Sequence, residues 1–132
     1  MAQQRGARKL ALDILYEHDL TSVPVADILG RYALNPAYKF AAELVNGVSA
    51  HREDLDKMIS ESSPEWKISR MPAIDRNLMR IALFEMLHLE DSPTAVAINE
   101  AVELAKLYST QDSSRFVNGV LGRVAAGISD HS

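Results

Sequence analysis

Hydrophobic residues recur along the chain with the spacing of α-helices. In several separate stretches, apolar side chains return every three or four positions, which places them on one face of a helix. No stretch shows the alternation of apolar and polar residues that marks a half-buried strand. The pattern therefore predicts an all-α fold, a single-domain bundle of six or seven helices over residues 1–132, with residues 1–6 and 126–132 expected to be flexible.

The first half of the chain contains three or four of these predicted helices. One runs to about Asp19, a second covers Val25 to Tyr32, and residues 37–60 form either one long helix or two. An Asn–Pro pair just before the last of these suits a helix start, because Asn caps a helix and Pro fits its first position.

A polar segment then interrupts the helical spacing. Ser63 and Pro64 are predicted to cap a short helical turn that carries Trp66, the only tryptophan. We expect the Trp66 ring to anchor this connector on the core. Met71 and Pro72 introduce a further helix whose broad apolar arc predicts a central position.

Residues 96–123 are predicted to form a helix, a polar turn and a second helix. Asp112 or Ser113 is expected to cap the second helix. Tyr108 and Phe116 flank the turn, which leaves two interpretations open. The rings fill the core, or they stack on an unpaired base while Asp112 and Asn118 offer hydrogen bonds.

Composition and charge limit the function classes. The chain has no cysteine, which excludes disulfides, thiol nucleophiles and thiolate-bound metals. It lacks a signal peptide or membrane-spanning apolar run, so a cytoplasmic protein without membrane association is expected. The four histidines are scattered without metal-ligand spacing, and no catalytic motif is recognisable. We therefore predict no enzymatic activity, no cofactor and no metal site.

The net charge of −4 argues against a non-specific coat for nucleic acid, but one end of the chain is basic. Arg5, Arg8 and Lys9 lie together at the start of the first helix. They form either an arm that pairs with RNA phosphates or an ordinary solvated helix start. Tyr16, off the main apolar stripe of this helix, either covers the edge of the core or stacks on a base.

Longer segments add a family resemblance. In chain order these are ARKLALDILYEHD, FAAELVNGVSAHREDLDKMI, RMPAIDRNLMRIALFEM, AINEAVELAK and DSSRFVNGVLG. Their order and spacing resemble those of the NusB family, bacterial factors of transcription antitermination and ribosomal-RNA biogenesis, over nearly the whole chain. The resemblance implies an all-helical fold that binds the boxA element of nascent RNA together with the small-subunit ribosomal protein NusE. It further implies indirect contact with other Nus factors and RNA polymerase.

The resemblance also implies an RNA-binding surface. It places these residues along that surface: Arg5, Arg8, Lys9, Tyr16, Asp75, Arg80, Tyr108, Asp112 and Phe116. Gln3, Gln4 and Gly6 interrupt the family's denser arginine arm, so weak RNA affinity without a partner is expected. The alternative is a helical interaction or dimerisation module that has lost RNA binding, and a homodimer is left open.

Overall fold

The computed structural model describes residues 4–130, and side chains as far as Ile128. Within this range the fold consists of six α-helices and one 3₁₀ turn, without strands. In chain order they are α1 (Arg5–Thr21), α2 (Val25–Gly30), α3 (Tyr38–Ser62), the 3₁₀ turn (Ile68–Arg70), α4 (Ala73–His88), α5 (Thr94–Tyr108) and α6 (Gln111–Asp130). The predicted all-α fold is confirmed. Residues 1–6 and 126–132 were expected to be flexible. Of these, residues 1–3, 131 and 132 lie outside the described part of the chain, whereas residues 5–6 belong to α1 and residues 126–130 to α6.

Helix α4 lies at the centre of the bundle, as its apolar arc predicts. It packs against α1, α3, α5 and α6. Every residue from Asn77 to Glu85 is buried, so this helix is covered on all sides. Each of the other helices buries one stripe of apolar side chains, either against α4 or against an adjacent helix.

Residues 37–60, which the sequence left as one helix or two, lie in the single helix α3. Gly47 does not break this helix. A side chain at that position would overlap the Phe84 ring of α4, so the missing side chain makes room for a close contact between the two helices. The helix ends at Ser62, and Ser63 is buried with its hydroxyl donating to the Ile59 carbonyl at 2.7 Å.

Two local predictions are wrong. Trp66 does not anchor the connector in the core, because 53% of the residue is exposed and it precedes the 3₁₀ turn. Neither Asp112 nor Ser113 caps α6. Thr110 does so, since its Oγ1 accepts the Ser113 backbone N–H at 3.0 Å. In addition, α2 ends at Gly30, two residues earlier than predicted.

Between Gln4 and Asp130, no helix is both long enough and apolar enough to cross a membrane.

Candidate functional site

Arg8 is part of a buried ion pair between α1 and α4. Its Nε and Nη2 donate to Glu85 Oε2 and Oε1 at 2.9 and 2.6 Å, and the two side chains are only 3% and 1% exposed. Ser92 Oγ adds a hydrogen bond to Glu85 at 3.1 Å. The third nitrogen, Nη1, lies 3.6 Å from Glu100 and has no hydrogen-bond partner among the described residues. Arg8 is therefore neither a free phosphate ligand nor a solvated helix start, and this corrects both expectations for it.

Arg5, in contrast, remains accessible on the same helix. Its guanidinium donates to both Glu100 oxygens, at 3.1 and 2.6 Å, while 45% of its side chain is exposed. The hydrogen bonds from Arg5 lower the pKa of Glu100, and this effect outweighs the opposing effect of burial. Glu100 thus stays charged and would compete with a phosphate for Arg5.

Lys9 connects α1 to the end of α5. Its Nζ lies 2.6 Å from Asp13 Oδ1 and 4.5 Å from the centroid of the Tyr108 ring, a cation–π geometry. The Tyr108 residue is 45% exposed, so it does not fill the core. The structure therefore brings together two of the predicted site residues that are 99 positions apart in the sequence.

The outer face of α1 continues this exposed surface. Arg5, Lys9, Asp13 and Tyr16 fall within about 80° of one another around the helix axis, over about 16 Å of its length. Tyr16 is 39% exposed. Together with Tyr108, these four residues form a strip, hereafter the α1 strip, that carries two cations, two aromatic rings and one carboxylate.

Arg80 lies away from solvent and joins three helices. Its Nε and Nη2 donate to the two Asp56 carboxylate oxygens at 2.7 and 3.0 Å, and its Nη1 lies 3.4 Å from Asp19. The side chain is 4% exposed. The expected place of Arg80 on an open RNA surface is therefore corrected, because its donors face Asp56 of α3 and Asp19 of α1.

Asp19 is the shared acceptor of this buried cluster. Burial alone would raise the pKa of Asp19, but hydrogen bonds from Arg76 and Asn77, at 2.7 and 3.0 Å, and the nearby charges of Arg76 and Arg80 lower it overall. The charged carboxylate thereby holds the end of α1 against α4.

The turn between α5 and α6 is organised by hydroxyl groups. Ser109 Oγ lies 3.0 Å from Asp75 Oδ1 and 2.9 Å from Ser113 Oγ, and Thr110 Oγ1 lies 3.1 Å from Ser113 Oγ. The hydroxyls can donate in one direction, from Thr110 through Ser113 and Ser109 to the carboxylate. Asp75, which is 2% exposed, thus fixes the turn to the start of α4.

An open cavity of about 270 Å³ lies beside this turn. Trp66, Met71 and Pro72 of the connector form one part of its lining, and Phe116 and Asp112 of α6 form another, with Asp75 also contributing. The Asp112 side chain is 96% exposed and lies 4.0 Å from Arg115. Phe116 is half-buried, so it both contacts the core and lines the cavity.

Asn118 is not brought together with these residues. It is exposed on α6, two positions after Phe116, which places it about 200° away around the helix. No group of three or more histidine or carboxylate side chains between Gln4 and Ile128 is arranged to hold a metal ion.

Sequence reasoning missed Trp66, Glu85 and Glu100 as parts of this region. Glu85 interrupts an apolar run of α4, between Phe84 and Met86, and Arg8 falls four positions before a buried leucine of α1. Each is a charge on a core-facing side, which is the signal of a buried pair. The residues around Trp66 in the sequence carry no comparable signal that its ring is exposed.

Comparisons with known proteins agree with this architecture. The NusB family model matches residues 5–126. The transcription antitermination protein NusB of Salinispora arenicola is 46% identical over 131 residues, covering 95% of this chain and 96% of the relative. The NusB of Symbiobacterium thermophilum is 42% identical over 138 residues, covering 95% and 90%.

Two solved structures have the same fold. NusB of T. maritima superposes with a TM-score of 0.86 and 31% identity, covering 93% of this chain and 90% of that one. A crystal structure of the antitermination factors NusB and NusE in complex with dsRNA contains a chain with a TM-score of 0.86 and 26% identity, covering 96% and 98%.

Proposed function

Because this chain belongs to the NusB family, we propose that it acts in transcription antitermination and ribosomal-RNA biogenesis by binding boxA-type single-stranded RNA together with the ribosomal protein NusE. In this proposal it works in the cytoplasm, and it reaches other Nus factors and RNA polymerase indirectly, through the RNA and NusE. The related complex of NusB and NusE with RNA supports this choice of partners.

The contact between Lys9 and Tyr108 is the observation that carries the proposal. It joins the basic end of α1 to an exposed ring at the end of α5, in line with Arg5 and Tyr16. RNA-binding proteins hold phosphates with cations and read unpaired bases by stacking them on aromatic rings. The α1 strip offers both kinds of group on one accessible face.

The buried arginines take an indirect part in the proposed binding. Arg8 fixes α1 to α4 through Glu85, and Arg80 does so through Asp19 while also joining α4 to α3 through Asp56, so both arginines determine the position of the α1 strip. We therefore exclude them from the direct RNA contacts.

The electrostatic part of this binding should be weak for the isolated protein. Arg5 and Lys9 are each already paired, with Glu100 and Asp13 respectively. Each phosphate contact must replace an existing ion pair, so its net gain is small. A second protein that adds contacts to the same RNA is needed for firm binding.

The experiment measures the binding of fluorescently labelled boxA RNA by anisotropy, with and without NusE, over a series of salt concentrations. Substitution of Arg5 or Lys9 by Ala should reduce the salt slope by about 0.7 per lost phosphate contact. Lys57→Ala, which removes an exposed lysine on α3, is the matched control and should leave the slope unchanged.

The RNA form is tested in the same assay with a boxA duplex, because the related complex contains double-stranded RNA. Exposed rings stack on unpaired bases, so Tyr108→Leu should weaken binding of single-stranded boxA and spare the duplex. The proposal fails if boxA RNA does not bind in the presence of NusE. It also fails if the α1 strip variants bind like the Lys57 control.

A further inference from the structure

We propose that Glu100 is a two-position carboxylate that couples an RNA phosphate at Arg5 to the buried Arg8. In the protein without RNA, Glu100 pairs with Arg5. When a backbone phosphate takes Arg5, Glu100 moves to Arg8 Nη1. This inference rests on the proposed RNA-binding function, and it makes Glu100 and Arg8 positioning residues that act on RNA binding without touching RNA.

The unpartnered nitrogen of Arg8 supplies the first observation. Arg8 is only 2% exposed, and its Nη1 has no hydrogen-bond partner among residues 4–128. A buried N–H group without an acceptor is costly, so an acceptor that reaches it is stabilised there. Glu85 holds the other two guanidinium nitrogens at 2.9 and 2.6 Å, so Arg8 cannot turn Nη1 elsewhere without breaking those bonds. The acceptor must therefore come to Arg8.

Glu100 is the acceptor within reach. Its Oε1 lies 3.1 Å from Arg5 Nε and 3.6 Å from Arg8 Nη1. A displacement of about 0.7 Å would bring this oxygen to about 2.9 Å from Arg8 Nη1, the usual length of an N–H···O hydrogen bond. Arg5 and Arg8 are three positions apart and so lie on one face of α1, and Glu100 of α5 meets both of them.

Arg5 is the partner that can leave. Its side chain is 45% exposed, whereas the Glu100 and Arg8 side chains are 8% and 3% exposed. The hydrogen bonds from Arg5, and the charges of Arg5 and Arg8, lower the pKa of Glu100 against the opposing effect of burial. Arg8 therefore still favours the ionised carboxylate after Arg5 has turned to a phosphate in solvent.

The second position decides whether Arg5 can be released. Without Arg8, the departure of Arg5 would leave the Glu100 carboxylate buried and unpaired, which is strongly unfavourable. With Arg8 Nη1 waiting beside it, the carboxylate exchanges one guanidinium for another. The phosphate contact of Arg5 thus depends on an arginine that RNA cannot reach.

The Arg5→Ala variant tests the two positions without RNA. In a crystal structure of this variant, the distance from Glu100 Oε1 to Arg8 Nη1 should fall from 3.6 Å to about 2.9 Å. In solution, the NMR signal of the Arg8 Nη1 protons should move downfield as they gain a carboxylate acceptor. Lys9→Ala is the matched control on the same helix, because Lys9 contacts Asp13 and not Glu100, and it should change neither measurement.

The RNA arm of the experiment follows the same Arg8 signal. The probe is boxA RNA, added to the full chain in the presence of NusE, and the reference is the protein with NusE alone. RNA should move the Arg8 Nη1 proton signal in the direction that Arg5→Ala does. In Glu100→Ala, which has no carboxylate to move, RNA should bind and leave the Arg8 signal in place. Thermal midpoints confirm that each variant is folded.

The salt dependence of RNA binding gives a functional readout. In the wild-type background, Arg5→Ala should reduce the salt slope by about 0.7, the value of one lost phosphate contact. Arg8→Met together with Glu85→Met removes the second position of Glu100 and both charges of the buried pair. Added to this double variant, Arg5→Ala should leave the slope unchanged, because Arg5 already stays with Glu100.

Four outcomes would overturn the inference. If Arg5→Ala changes neither the distance nor the Arg8 signal, Glu100 has one position only. If RNA binds but the Arg8 signal does not move, phosphate binding is not coupled to Arg8, while the proposed function stands. If NusE alone moves the signal to the same extent, a protein contact and not a phosphate is the trigger. If no boxA RNA binds even with NusE, both the proposed function and the phosphate trigger are wrong.

Discussion

Replacing Arg8 with alanine distinguishes the structural role of this arginine from an RNA-binding role. The substitution removes two hydrogen bonds to Glu85, whose side chain is 1% exposed, and leaves that carboxylate with the Ser92 hydroxyl. It also removes the guanidinium from above the Phe40 ring, 5.7 Å from its centroid. Removing one partner of a buried ion pair costs about 3–5 kcal/mol, so we expect Arg8→Ala to lower the free energy of unfolding by about that amount.

The loss is large enough to measure without ambiguity. The free energy of unfolding of domains of this size is about 5–15 kcal/mol. Urea denaturation followed by circular dichroism should therefore show a clearly lower midpoint for Arg8→Ala, with an unchanged dependence of the unfolding free energy on urea concentration. Arg5→Ala is the matched control on the same helix, because its partly exposed side chain should leave the midpoint nearly unchanged. The double substitution Arg8→Met with Glu85→Met removes both charges, and should be far less destabilising than Arg8→Met and Glu85→Met added together.

The opposite pattern would refute this reasoning. If Arg8→Ala unfolds at the wild-type urea concentration and loses RNA affinity, Arg8 binds RNA and the buried pair with Glu85 is not a main support of the fold.

The other predictions concern acid stability, helix packing and the surface charge of α6. The folded-state pKa of Asp19 lies below its ordinary value of 3.8, so its contribution to stability is complete above that pH and is lost as the pH falls through the lower folded-state value. Urea midpoints of Asp19→Asn should therefore change less than those of the wild type on acidification below about pH 4, and an equal acid dependence would contradict the pKa argument. Gly47→Ala should lower the free energy of unfolding by about 1–3 kcal/mol, because the new side chain overlaps the Phe84 ring. Gly119→Ala, whose new side chain meets no atom within 4 Å, should raise the free energy of unfolding by about 0.5–1 kcal/mol. Urea midpoints of the two variants that move in the same direction would refute the packing argument. Asp112→Asn should keep the thermal midpoint and strengthen binding of boxA RNA in anisotropy, because it removes an exposed charge while Thr110 remains the cap. If the variant binds both boxA and a scrambled RNA with wild-type affinity, Asp112 does not belong to the RNA surface.

The helical part of the fold could be predicted from local spacing. The wide apolar arc of α4 requires cover on every side, and α4 indeed lies between α1, α3, α5 and α6. The single long α3 could not be predicted, since Gly47 reads as a helix breaker unless the ring that occupies its empty side is known. That ring belongs to Phe84, 37 residues away.

The roles of the basic residues could be predicted only in part. Arg5, Arg8 and Lys9 are one cluster in the sequence, yet a partner 77 residues away takes Arg8 into the core. An arginine can be buried only where a carboxylate pairs with it in the core, and that carboxylate comes from another helix. Burial of a charge is therefore a property of the packed helices rather than of one helix. Trp66 shows the converse, because a tryptophan between two helices is expected to be buried and here lies open beside a cavity.

The different positions of Arg5 and Arg8 explain how an ion-paired residue can still serve the proposed RNA surface. Glu100 lies between them, hydrogen-bonded to Arg5 and 3.6 Å from Arg8 Nη1, which has no other partner in the described part of the chain. When Arg5 exchanges Glu100 for a phosphate, the carboxylate keeps a buried cation beside it, so the exchange does not leave an isolated buried charge. The buried Arg8 thus lowers the cost of releasing the exposed Arg5, and the two arginines have complementary roles although only one can reach RNA.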